Sequence, residues 1–282
     1  MQNSQKFIDA HVHLWTDGFR EYPLAQNFTP LQMKPAVFLP EDILRLAQPS
    51  GVSRIILVQM SYYGFDNSYM VDVIHQAPHV FKGIAVIDRR KKNPDATMRK
   101  LSKKGIRGFR IYPDGGSSSH WLDGDGFDGM FRCAAQQRLA MCPLIDPEAL
   151  PSIDRQCRRF PDTPLIIDHI ARIGMQGDIR DHDIRALCML ARHPHVQVKI
   201  SAFYALGQKK PPHLDLAHLI RRVYEAFGPN RLMWGSDCPF QTADETYEDS
   251  ISLIRRLLPF ISAEDRDWML RRTAEDFFFQ DS

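Results

Sequence analysis

Residues 7–15 of the chain read FIDAHVHLW. This stretch starts as a near-continuous apolar run and then carries two histidines, His11 and His13. Residues two apart on a β-strand point to the same side, so we expect both imidazoles on one face. An apolar run with so little alternation is typical of a parallel strand that is covered on both faces.

Seven further apolar runs follow at intervals, and longer amphipathic stretches separate them. They are RIILVQM (54–60), KGIAVID (82–88), GIRGFRIYP (105–113), LAMCPLI (139–145), PLIIDH (164–169), VQVKIS (196–201) and RLMWGSD (231–237). Among the helix candidates, 67–77 begins with an Asn that we expect to cap the helix, and 214–228 ends at a Gly. Eight strands that alternate with helices predict an α/β fold, a single (β/α)8 TIM barrel, with one domain over residues 1–282.

The composition narrows the functional classes. Of 282 residues, 44% are hydrophobic and 25% are charged, which argues against a disordered, collagen-like or disulfide-stapled chain. A net charge of +2 gives no reason to expect a nucleic acid partner, and no apolar window is long enough to predict a membrane span. No apolar signal run precedes the first strand, and the five cysteines show no CxxC spacing, so we expect reduced thiols and a cytoplasmic location.

Polar residues mark three of the predicted strand ends. Strand 1 ends with His11 and His13, strand 6 with Asp168 and His169, and strand 8 with Asp237. In a TIM barrel these ends meet at the catalytic face, and imidazoles with a carboxylate are a common ligand set for Zn²⁺. We expect Asp168 to point to the other face of its strand and to have a structural role. An HxH pair alone arises easily by chance. The prediction of an active site rests on polar motifs that occur together at the ends of strands 1, 6 and 8.

The motifs FIDAHVHLW, LIIDHIARIG (165–174), VQVKISAFYAL (196–206) and RLMWGSDCPF (231–240) resemble the amidohydrolase superfamily, in its amidohydrolase 2 branch of TIM-barrel metal-dependent hydrolases. Members of this branch include sugar-acid and pyrone-dicarboxylate lactonases. The resemblance implies that the catalytic residues, which are also the metal ligands, are His11, His13, His169 and Asp237. It implies one divalent metal ion, Zn²⁺ or Mn²⁺, and keeps a metal-free alternative open, since some relatives act without a metal. Strand 4 offers Arg107 and Arg110 but no lysine, which argues against a binuclear centre bridged by a carboxylated lysine.

The resemblance also implies the reaction. A divalent ion lowers the pKa of its water toward 7, and Asp237 can take the proton of an attacking water and pass it to the leaving group. We therefore expect a hydrolase that opens a small polar lactone or a related ester or amide. The alternative is a metal-dependent lyase, a decarboxylase or hydratase of a small carboxylic acid. A binding protein without catalysis has no need of the complete set of residues.

Further candidates lie around these strand ends. Arg110 is expected to clamp a carboxylate of a small anionic substrate. The other substrate-binding candidates follow strand ends: Tyr62, Tyr112, Arg172 and Tyr204. Loops 16–40 and 113–125 are candidate substrate loops. Lys199 is expected to pair with an interior carboxylate, His213 is expected in solvent, and segment 262–278 is expected to form a homodimer interface or to close the base of the barrel.

Overall fold

The structure is a computed structural model that describes residues 6–113 and 120–280. Eight parallel strands form one sheet, in which they follow their order in the chain. They are β1 (Phe7–Val12), β2 (Val52–Val58), β3 (Phe81–Ala85), β4 (Ile106–Ile111), β5 (Ala140–Pro143), β6 (Leu165–Ile167), β7 (Val196–Ser201) and β8 (Leu232–Gly235). Each strand lies within or overlaps one of the eight apolar runs, and the predicted TIM barrel is confirmed.

The sheet closes on itself between its first and last strands. Val12 forms a parallel bridge with Cys238, and the N–H of Asp237 donates to the carbonyl of His11 at 2.9 Å. The N–H of His13 donates to the carbonyl of Cys238 at 2.9 Å. The seam of the barrel therefore runs through the residues that the sequence marks for chemistry.

Helices surround the strands. They are α1 (Pro40–Ala47), α2 (Ser68–Gln76), α3 (Pro94–Ser102), α4 (Asp125–Gln137), α5 (Leu150–Arg159), α6 (Asp181–Met189), α7 (Ala217–Phe227), α8 (Tyr247–Ser252) and α9 (Ala263–Asp267), and wider helical turns continue the last two. Helix α7 buries Leu219, Ile220 and Val223, the face that its periodicity predicts. None of the helices in the described part of the chain combines the length and apolar character that a bilayer crossing requires.

The start of α2 differs from the prediction. Asn67 directly precedes the helix, but its side chain makes no capping bond. Its Oδ1 accepts from the N–H of Val86 at 3.0 Å, and its Nδ2 donates to the Val86 carbonyl at 2.9 Å. The Asn67 amide thus satisfies the backbone just beyond β3, where the strand pairing has ended.

The C-terminal segment closes the base of the barrel. Phe278 is fully buried and packs with Ala274 and Phe277 against barrel side chains that include Ile8 and Met233. Ser262 caps α9, because its hydroxyl accepts from the N–H of Asp265 at 3.1 Å. Packing beneath the barrel accounts for the apolar residues of segment 262–278, and a homodimer interface stays a prediction.

Candidate active site

Left-handed backbone turns follow three of the strands and position the site. His169 to Arg172, after β6, have φ values of 53–54°, Ala202 after β7 has φ 58°, and Asp237 after β8 has φ 64°. Residues with side chains reach this region at a cost of roughly 1–2 kcal/mol each, and such backbone strain concentrates at functional sites. The turns bring His169 and Asp237 together at the mouth of the barrel.

Asp168 faces the barrel interior, so its predicted orientation is wrong. Its Oδ2 accepts from Nε and Nη2 of Arg110 at 3.2 and 3.1 Å. Its Oδ1 lies 3.0 Å from Nζ of Lys199 and 3.4 Å from Nδ1 of His11. The assumed alternation fails because β6 ends at Ile167, before these residues. The prediction that Lys199 pairs with an interior carboxylate is confirmed, and both partners are fully buried.

Three acceptor atoms converge in the centre of the mouth. Nε2 of His11 lies 3.3 Å from Nε2 of His13 and 3.5 Å from Oδ1 of Asp237. Nε2 of His13 lies 3.4 Å from the same oxygen. The carbonyl of Val58 accepts from Nδ1 of His13 at 2.8 Å, which leaves the lone pair of its Nε2 facing the centre.

His169 forms the fourth side of this group. Its ring centroid is 4.4 Å from that of His11, and its Nε2 is 3.9 Å from Oδ2 of Asp237. Its Nδ1 shares a hydrogen bond of 2.9 Å with Oγ of Ser201. Ser201 was not among the predicted site residues, although its place at the end of strand 7 was a signal for it.

Burial and neighbouring charges set the protonation of the group. Burial raises the pKa of Asp237, but His169 and the other imidazoles outweigh it and hold the pKa well below its usual range. Burial, followed by the charge of Lys199, lowers the pKa of His11 well below its ordinary value. Burial lowers the pKa of His169 to about 4, although Asp237 opposes it. At neutral pH the carboxylate is therefore ionised, and His11 and His169 are neutral.

Tyr204 contacts the carboxylate directly. Its hydroxyl donates to Oδ2 of Asp237 at 2.8 Å. Burial and the Asp237 charge raise the pKa of Tyr204, so the hydroxyl keeps its proton. The other oxygen of Asp237, Oδ1, is buried and has no hydrogen-bond partner. One oxygen is thus held, and the other faces the histidines.

The donor atoms fit a single divalent metal ion. A tetrahedral Zn²⁺ with ligands at about 2.0–2.1 Å holds its donor atoms about 3.3–3.4 Å apart, close to the spacings among His11, His13 and Asp237. His169 also belongs to a group, with His11 and Asp237, whose potential ligand atoms all lie within 4.8 Å of one another. The unpaired Oδ1 of Asp237 is consistent with a bound cation at this position.

Two adjoining cavities open above the centre. One, of about 320 Å³, is lined by His13, His169, Asp237, Tyr204 and both predicted arginines, Arg110 and Arg172. The other, of about 620 Å³, also reaches His13 and Arg110, and Asn27 and Phe28 of loop 16–40 line it together with Tyr112. Of loop 113–125, residues 114–119 lie outside the described residues.

The substrate candidates differ in what they already bind. Arg172 forms a two-bond pair with Asp146, at 2.8 and 2.6 Å. The hydroxyl of Tyr62 donates to the Gln32 carbonyl at 3.0 Å, and Tyr62 does not line either cavity. Tyr112 lies at the rim with 41% of its surface exposed. The structure therefore brings Arg110, Arg172, Tyr112 and Tyr204 to the cavities and places Tyr62 beside them.

Two buried acidic residues behind the site were not predicted. Asp9 accepts from the N–H groups of His11 and Ser236 and from the hydroxyl of Tyr247, and burial raises its pKa to about 6. Glu245 pairs with His213 at 2.5 Å. His213 is fully buried, so its predicted place in solvent is wrong. The partner of His213 lies 32 residues further along the chain, and the local sequence carries no sign of it.

The fold and this group of residues agree with the family comparison. A model of the amidohydrolase family matches residues 8–280. The chain belongs to the amidohydrolase family. This amidohydrolase is accordingly a hydrolytic enzyme, as predicted.

Characterised relatives of this amidohydrolase act on lactones. An L-fucono-1,5-lactonase from Burkholderia ambifaria is 28% identical over 236 residues, which cover 82% of this chain and 80% of that protein. A 2-pyrone-4,6-dicarboxylate hydrolase from Comamonas testosteroni is 26% identical over 269 residues, which cover 90% of this chain and 83% of that protein.

A solved structure supports the fold independently. An amidohydrolase from Burkholderia multivorans with bound zinc superimposes with a TM-score of 0.81 at 22% identity, covering 97% of this chain and 99% of that chain. The comparison confirms the barrel over nearly the whole molecule.

Proposed function

We propose that this amidohydrolase opens a small anionic lactone by Asp237-assisted attack of water. The observation that carries the proposal is the state of Asp237. It is ionised and buried, one oxygen is held by Tyr204, and the other is unpaired beside two imidazoles. A buried carboxylate with one oxygen anchored and the other unpaired is positioned to accept a proton from water.

Asp237 and Tyr204 have different roles in the proposed reaction. Asp237 Oδ1 accepts the proton as the water oxygen bonds to the lactone carbonyl carbon. When the ring C–O bond breaks, Asp237 returns that proton to the leaving oxygen. Tyr204 keeps Oδ2 in place through both steps, so the carboxylate does not rotate.

We further propose that His11, His13, His169 and Asp237 hold one divalent ion, Zn²⁺ or Mn²⁺. When bound, such an ion supplies a Lewis acid for the carbonyl and lowers the pKa of water. The spacings among His11, His13 and Asp237 support three of these ligands, and His169 groups with His11 and Asp237. The arginines at the cavity walls support an anionic substrate. Both named relatives are hydrolases of cyclic esters, which supports hydrolysis over the lyase alternative.

The test is a panel of sugar-acid and pyrone lactones assayed by proton release, with CO₂ measured in parallel. We expect proton release without CO₂, and at least a 10²-fold loss in Asp237→Asn. The control is Asp244→Asn, an exposed carboxylate on the same loop. Activity lost on chelation and restored by Zn²⁺ or Mn²⁺ supports the metal, whereas CO₂ release would favour the lyase.

Three expectations about the surroundings belong to the same proposal. They are a small anionic substrate as the partner, a cytoplasmic location and a homodimer. The five free cysteines, of which four are buried, support a reducing compartment.

A further inference from the structure

Arg110 already occupies an atom that the proposed metal would need. Its Nη2 lies 2.7 Å from Nε2 of His11. A guanidinium has donors only, so the nitrogen of His11 must accept with its lone pair. A metal ion binds a neutral imidazole through that same lone pair. The present position of Arg110 and coordination by His11 Nε2 therefore exclude each other.

The other nitrogen of His11 is not a substitute. Because Nε2 accepts, the proton of the neutral ring is on Nδ1, which faces Oδ1 of Asp168 at 3.4 Å. Nζ of Lys199 lies 3.3 Å from the same Nδ1 and would repel a second cation there. Asp168 and Lys199 thus leave Nε2 as the one position at His11 for either Arg110 or the metal.

The cavities offer the Arg110 guanidinium a second position, away from His11. Its side chain is 9% exposed, and it lines both cavities above the centre. A carboxylate in either cavity can offer the two-point contact that Asp168 now provides. The guanidinium therefore has two alternative positions. The inner one contacts His11, as in this structure, and the outer one would contact a substrate anion.

We propose that Arg110 is a competitor of the metal ion for His11 Nε2 and so keeps the metal affinity of the free enzyme low. This inference rests on the proposed metal site, and it concerns how firmly that site holds an ion. Charge-assisted hydrogen bonds of this kind correspond to about a 10- to 100-fold change in an equilibrium constant.

The experiment measures the Zn²⁺ dissociation constant by competition with a chromophoric chelator, using the full-length protein. We expect Arg110→Met to bind Zn²⁺ about 10- to 100-fold more tightly than the wild type. The matched control is Arg231→Met, a partly buried arginine just before β8 that bonds backbone carbonyls away from His11. It should leave the Zn²⁺ affinity unchanged.

A second variant keeps the inference testable if Arg110→Met does not fold. Arg110→Lys keeps a charge for Asp168 but lacks the fork that contacts Asp168 and His11 together, so it should also bind Zn²⁺ more tightly than the wild type. Equal or weaker binding in the folded variants overturns the inference, including the case in which no form binds Zn²⁺.

The outcomes separate this inference from the proposed function. Lactone opening that resists chelation in the wild type, together with tight Zn²⁺ binding in Arg110→Met, would contradict the metal-dependent reaction and support the competition. Chelator-sensitive lactone opening with unchanged Zn²⁺ affinity in Arg110→Met would support the metal-dependent reaction and contradict the competition.

Discussion

Tyr204 shows how one hydroxyl distinguishes the two oxygens of a carboxylate. It donates to Oδ2 of Asp237 and leaves Oδ1, the proton acceptor that we propose, without a hydrogen-bond partner. We predict that Tyr204→Phe lowers kcat/KM by about 10- to 100-fold, because a hydrogen bond to a charged group is lost. The measurement is steady-state kinetics on the best lactone of the panel.

The control for that prediction is Tyr224→Phe. The hydroxyl of Tyr224 makes the same kind of bond, 2.7 Å to the carboxylate of Asp265, but on the outer helices. Its kinetics should match the wild type. Equal kinetics for Tyr204→Phe would show that Asp237 is positioned without the hydroxyl.

Asp9 gives a prediction about stability and pH. Burial raises its folded pKa from 3.8 to about 6, so the folded protein binds the extra proton between these values. The folded state therefore loses up to about 3 kcal/mol of stability through this group as pH rises from 4 to above 6. Asp9→Asn removes that loss. The free energy of unfolding of Asp9→Asn, relative to that of the wild type, should therefore increase as pH rises across this range.

The measurement is urea unfolding of the metal-free wild type and Asp9→Asn at pH 4.5 and 7.5. Asp244→Asn, an exposed carboxylate in the loop after β8, serves as the control and should keep a constant difference from the wild type. A constant difference for Asp9→Asn as well would contradict the burial argument.

At the scale of elements, the strands were predictable and their ends were not. Apolar runs located all eight strands because both faces of the sheet are covered. The orientation of Asp168 was not predictable, since side-chain alternation holds only within a strand and β6 ends at Ile167. His213 and Asn67 were misjudged for a similar reason, because their partners, Glu245 and Val86, lie far along the chain. The convergence of the histidines and Asp237 at the barrel mouth was predictable because each lies at or near the end of an apolar run.

The left-handed turn after β6 can be tested by glycine. Ala171 is fully buried at φ 53°, whereas Ala134 is fully buried within α4. Glycine relieves a positive φ but weakens a helix, and both changes remove the same methyl group. We therefore predict that Ala134→Gly costs about 1–2 kcal/mol more than Ala171→Gly in the free energy of unfolding. Equal costs would mean that the turn stores no strain.

The stability of the fold should depend on Phe278, the aromatic side chain that plugs the base of the barrel. Phe278 is fully buried, so Phe278→Ala should lower the free energy of unfolding by about 3–5 kcal/mol through lost burial and a cavity. Phe279→Ala is the control, because Phe279 is only partly buried beside Arg54. A loss equal to that of Phe279→Ala would contradict the role of Phe278 as a plug.

At the scale of the whole molecule, the proposed metal joins distant parts of the chain. Its proposed ligands lie in or just after β1, β6 and β8, so an ion would bind the folded barrel and not the unfolded chain. Zn²⁺ at 100 times its dissociation constant should then raise the free energy of unfolding by about 2.7 kcal/mol. Thermal unfolding with and without Zn²⁺ measures this shift.

His169→Ala should lose most of that stabilisation, and His195→Ala, an exposed histidine just before β7, should keep it. An unchanged Zn²⁺ shift in His169→Ala would remove His169 from the ligand set.

The closing bonds of the barrel bear on how the enzyme comes into being during synthesis. The bonds that join His11 and His13 to Asp237 and Cys238 connect the first strand to the loop after the last strand, so they form only after residue 238 has been synthesised. A chain truncated before residue 237 lacks these bonds and the carboxylate that we propose as the base. We therefore expect no activity before the first and last strands of the barrel have paired, and none from such a truncated product.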